Sequence, residues 1–136
     1  MSAKPVVMIP AMVAWFWIAF VVTLALFGGA LWSGLRRRRR LHFVLAPIAI
    51  AGLVVTIILT EQLVRAVEFP AEPMRIHLWF AKTAALLVLP VIATGLWTWR
   101  SPGRRRMHRL TVFTFLLFVV VATCTGIWVY SLSTPK

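Results

Sequence analysis

Three imidazoles, His42, His77 and His108, are the side chains in this sequence best suited to holding a metal or a prosthetic group. Each stands at the start of an apolar run. Neutral imidazoles on two facing helices are a common way to hold haem iron, and the arginines near His42 and His108 have the charge to pair with propionates. A b-type haem between His42 and His108 is therefore one expectation. The alternative for the same two residues is a place at the membrane interface, where they cap or snorkel beside the arginines. His42 is two residues from Arg40 and His108 adjoins Arg109, and that shallow depth favours the alternative. His77, at the other end of the molecule, has no assigned role. A softer donor set, Met8, Met12, Met74, His77 and Cys124, would suit Cu(I). These residues are scattered over three segments, so gap-filling is the better account of the thioethers and the thiol. The sequence holds no metal motif, phosphate loop or nucleophile–base pair. Neither a hydrolytic nor a transferase site has candidate residues, and an enzyme is not expected.

The elements that must position the histidines are membrane helices. Of 136 residues, 61% are hydrophobic and 13% charged, and the mean hydropathy is +0.90. Water could not accept so much apolar surface from a domain this small, whereas lipid can. Residues 5–35, 41–60 and 110–135 carry no charge, and 76–99 hold only Lys82. A span needs about 20 apolar residues. The expectation is an all-α, four-transmembrane-helix antiparallel bundle, with helices at about 7–33, 42–65, 76–99 and 109–132 in a single transmembrane domain, 1–136. The first run exceeds the ~7–15 residues of a signal-peptide core and follows only Lys4, so it reads as a span.

The net charge of +12 sits in short clusters between spans and not on a soluble domain. It reads as a topology signal facing the lipid bilayer, with no nucleic-acid partner. Arg36–Arg40 fill the first loop, and Arg100, Arg104–Arg106 and Arg109 the third. The second has only Arg65 and Arg75 against Glu61, Glu68 and Glu72. The expected placement is a bacterial plasma membrane with the arginine-rich loops cytoplasmic and both termini outside. Pro70 and Pro73 should break the chain between spans, while Pro47 and Pro90 should bend theirs. Glu61 and Arg65 are spaced for an i,i+4 ion pair. Lys82, the ionisable group within a span, either faces an interior or snorkels outward. The single cysteine, Cys124, excludes an intramolecular disulfide.

The last two spans repeat one another. His77 leads to Thr94-Gly95-Leu96-Trp97, and His108 to Thr125-Gly126-Ile127-Trp128, each Gly lying 18 residues after its His. Eighteen residues are about five turns, which puts Gly and His on one face at opposite membrane surfaces. Gly95 then lies at the level of His42 and His108, and Gly126 at that of His77. A glycine there makes room for close packing or for a flat ligand. Helix two shares the leading His but lacks the Thr-Gly-x-Trp end.

The ordered set Arg40-Leu41-His42, His77, Met107-His108-Arg109 behind Arg104–Arg106, and Thr125-Gly126-Ile127-Trp128-Val129-Tyr130 resembles the small four-helix membrane protein family that includes YozB and CtaM. The likeness covers about residues 36–132. That family is associated with maturation or activity of haem–copper terminal oxidases, and the three histidines match its signature positions. The resemblance implies assistance in the assembly or function of a respiratory oxidase, with oxidase subunits or another membrane complex as partners. Two other expectations remain: a b-type cytochrome that carries electrons, and a non-catalytic accessory subunit in which the histidines only pack.

Overall fold

The computed structural model describes residues 8–135. The expected start of the first helix, residue 7, lies outside the described residues. Four α-helices dominate: α1 (Met8–Leu35), α2 (Arg39–Ala66), α3 (Ala71–Arg100) and α4 (Arg105–Ser131). All four are long and apolar enough to cross a membrane, so the all-α class and the four spans are as expected. Two-residue extended segments, Val67–Glu68 and Thr134–Pro135, and one 3-10 turn, Pro102–Arg104, are the remaining elements.

Several helix ends differ from those expected, for identifiable reasons. Arginine is a good helix former, and its long side chain reaches water from the first turn. Arg39 and Arg40 therefore belong to α2, and Arg105 and Arg106 to α4. His42 and His108 each stand about one turn inside their helix. Pro73 does not break the chain; it lies in the first turn of α3, where a missing N–H has no intrahelical partner to lose. Both α2 and α3 continue through their interior prolines, Pro47 and Pro90.

The chain divides into two compact units, each a helical hairpin. In the first, α1 packs on α2 through small and hydroxylated residues. Ala30, Ala49, Thr23, Ser33 and Thr56 are buried, and the Thr23 and Thr56 hydroxyls meet at 3.1 Å. Thr56 also donates to the Gly52 carbonyl at 2.9 Å. In lipid, helix association depends on such close approach and on interhelical hydrogen bonds, because apolar burial alone gives no advantage over lipid tails. The turn between these helices is a Schellman motif. Arg37 adopts φ 56°, its N–H reaches the Gly34 carbonyl at 3.1 Å, and the Arg38 N–H reaches the Ser33 carbonyl at 2.9 Å.

The second unit pairs α3 with α4. Ala84, Phe115 and Val129 are buried, and the Phe80 and Phe118 rings stand 6.1 Å apart. The 3-10 turn joins the two helices, with the Ser101 N–H bonded to the Trp97 carbonyl. At the opposite end of α3, Arg75 pairs with Glu72 at 2.8 Å. That i,i+3 pair, and not Glu61–Arg65, is the ion pair formed among the described residues.

Candidate functional site: three imidazole seats

Each histidine is held by the helix that neighbours its own in sequence. His42 on α2 lies against Gly34 of α1, where an added Cβ would come within 3.2 Å of Nδ1. His108 on α4 lies against Gly95 of α3, with the corresponding distance 3.2 Å to Cε1. His77 on α3 lies against Gly126 of α4, at 3.0 Å to Cε1. The missing side chain is what allows each ring to rest on the opposing backbone. Of the two uses proposed for the glycines, the packing one is realised, and the object packed is the imidazole itself. The pairings of Gly95 with His108 and Gly126 with His77 follow the levels expected from the 18-residue spacing.

The seats share a polar pattern as well. His42 Nδ1 donates to the Ala30 carbonyl at 2.8 Å. His77 Nδ1 is 3.1 Å from the Ala122 carbonyl and 3.2 Å from Thr125 Oγ1. Ala30 and Ala122 each stand four residues before the seat glycine. His108 Nδ1 meets Thr94 Oγ1 at 3.1 Å. Next to every seat glycine is a hydroxyl that bonds back to the carbonyl three residues earlier: Ser33 to Ala30, Thr94 to Val91, and Thr125 to Ala122. A hydroxyl–glycine pair facing a histidine thus occurs three times. The Ser33-Gly34 copy is absent from the sequence reading, because α1 has no leading histidine to mark the 18-residue repeat. The dipeptide at the end of a span was the signal available.

These partners orient the rings and select a tautomer for the neutral form. A carbonyl can only accept, so Nδ1 carries the proton in His42 and His77. The Thr94 hydroxyl donates to the Pro90 carbonyl at 2.7 Å, which makes its oxygen the acceptor for Nδ1–H of His108. In a neutral ring bonded this way the lone pair is on Nε2. An Nδ1–H bonded to a carbonyl or hydroxyl is the arrangement that sets the tautomer and orientation of a metal-ligating imidazole.

No protein-family model, curated protein or solved structure matches this chain.

The seats differ in setting. The His42 and His108 seats adjoin the arginine-bearing turns of their hairpins, whereas the His77 seat is at the open end of the second. At the turns, Arg38 stacks over Trp32 with its guanidinium carbon 4.8 Å from the ring centre, and Arg104 over Trp97 at 3.8 Å. Lys82 and Cys124 are exposed, the side chain of Met8 lies outside the described residues, and no cluster of three His, Cys, Asp or Glu residues suited to a metal occurs among the described ones.

Proposed function

We propose that this protein is an accessory factor of a bacterial plasma membrane that assists the assembly or function of a respiratory haem–copper oxidase, handling haem b through His42 and His108. The observation that carries this reading is the common seating of the rings: Nδ1 of His42 bonds a backbone carbonyl and Nδ1 of His108 a threonine hydroxyl, the kind of contact that orients a ligating imidazole. The likeness to the YozB- and CtaM-containing family supports the oxidase connection. In the proposed topology the arginine-rich turns are cytoplasmic and both termini are outside. The arginines neighbouring each of these histidines would pair with propionates. A bound haem would supply a redox-active iron. The chain's own part is to hold two imidazoles in a fixed tautomer and to offer cations at the turn. His77 belongs to the outer side and takes no part in this site.

A second reading has an observation of its own. Each ring fills the space above a glycine in its own hairpin, so the histidines also serve as keys that lock helix pairs in a non-catalytic subunit. An absorption spectrum of the purified protein, oxidised and reduced, separates the two. Haem handling requires a sharp reduced α-band that appears at least on adding haem, is lost in His42→Ala and in His108→Ala, and persists in His77→Ala. A featureless spectrum after haem is added removes the cofactor and leaves the packing role; loss of haem in His77→Ala alone overturns the assignment of the site.

A further inference from the structure

A groove of about 410 Å³ lies along Glu72, Arg75, Ile76, Trp79 and Phe80 at the start of α3, and a second of about 290 Å³ near its end, along Ala93, Leu96, Trp97, Trp99 and Arg100. The two differ in charge. In the first, Arg75 is already paired with Glu72. The second contains no acid, and the nearest turn adds Arg104, whose guanidinium is stacked on Trp97.

From this second groove we infer a binding site for an anionic glycerophospholipid at the turn end of α3. Ala93, Leu96, Trp97 and Arg100 follow i, i+3, i+4, i+7 spacing and so form one stripe on the helix. Along that stripe the chemistry changes in the order of a lipid molecule. Ala93 and Leu96 offer apolar surface to acyl chains, Trp97 supplies an amphipathic ring of the kind enriched at the ester level, and Arg100 brings a guanidinium for the phosphate, while Trp99 lines the groove from outside the stripe. From Leu96 to Arg100 the helix rises about 6 Å, matching the ~5–7 Å interfacial layer on each side of the hydrocarbon. Arg104 reaches back over Trp97 and places a second cation at the same level. Within this hairpin the acidic residues, Glu68 and Glu72, stand at the opposite end of α3, so neither repels a phosphate at its turn. The 3-10 turn is what folds Arg104 over the ring, which makes the site a property of the structure and not only of a basic loop.

The test is native mass spectrometry of the full chain in detergent, comparing retention of dioleoylphosphatidylglycerol with that of dioleoylphosphatidylcholine. The anionic lipid should be retained at least tenfold better. The double variant R100Q/R104Q should weaken it roughly thirtyfold, the effect of two cations at a membrane surface. Ala93→Trp keeps every charge but fills the groove, and it should also lose the lipid while retaining the helical melt of the parent. R39Q/R40Q removes equal charge from the start of α2 and should leave retention within about twofold. Equal retention of the two lipids, equal losses from the two double variants, or no effect of Ala93→Trp would each overturn the site.

Discussion

Gly126→Ala gives the sharpest test of the imidazole seats. Carbon atoms in ordinary contact stand about 3.5–4.0 Å apart, and the new methyl would stand 3.0 Å from His77 Cε1 and 3.4 Å from Nδ1. The ring must withdraw by about 0.5 Å or more to restore normal contact. Its bond to the Ala122 carbonyl is already 3.1 Å long, so withdrawal carries it past useful hydrogen-bonding distance. Overpacking costs about 1–3 kcal/mol and a lost hydrogen bond about 1 kcal/mol, while alanine returns about 1 kcal/mol of helix propensity. The net expectation is destabilisation by about 1–3 kcal/mol. The decisive assay is a double-mutant cycle with His77→Ala, read by SDS-driven unfolding in bicelles. Without the ring there is nothing to clash, so Gly126→Ala in that background should be neutral or stabilising by up to about 1 kcal/mol. A sign reversal of this kind is the signature of a seat. Additive effects in the two backgrounds would refute the reasoning.

Gly52→Ala should be more damaging in the first hairpin, since its methyl would lie 2.8 Å from Thr23 Oγ1 and would disrupt the Thr23–Thr56 contact; Thr23→Ala should relieve it in the same unfolding assay. Arg37→Gly should stabilise that hairpin by about 1 kcal/mol, because arginine at φ 56° carries a steric cost that glycine does not; a lower unfolding midpoint would count against the Schellman turn. Thr94→Val removes the acceptor of His108 Nδ1–H and should cost about 1 kcal/mol, with Thr94→Ser recovering most of the loss.

Much of this architecture could be read from charge and hydropathy. The uncharged runs locate the spans because lipid tolerates few other segments of that length. The histidine-to-glycine spacing was equally legible, since a straight helix converts an offset of 18 into a shared face and the antiparallel partner then brings Gly95 to His108 and Gly126 to His77. Helix ends were harder, because a run of arginines reads as loop although Arg39 and Arg105 have every local reason to be helical. Gly34 could not be found by repetition, lacking a histidine at the head of its own helix. The expected Glu61–Arg65 pair on α2 is not formed, whereas Glu72 and Arg75 on α3 do pair, because helical spacing permits an ion pair without requiring it.

The seats also bear on how the protein is made. Every one of them is closed by two helices that are consecutive along the chain, so each hairpin's lock is complete once its second helix has been synthesised. His42 finds Gly34 across a turn of three residues, and the Thr94–His108 contact spans 14. Contacts of such low sequence separation form early and need no later span. The described seat contacts therefore lie within one helix pair each, and neither hairpin needs the other to close them.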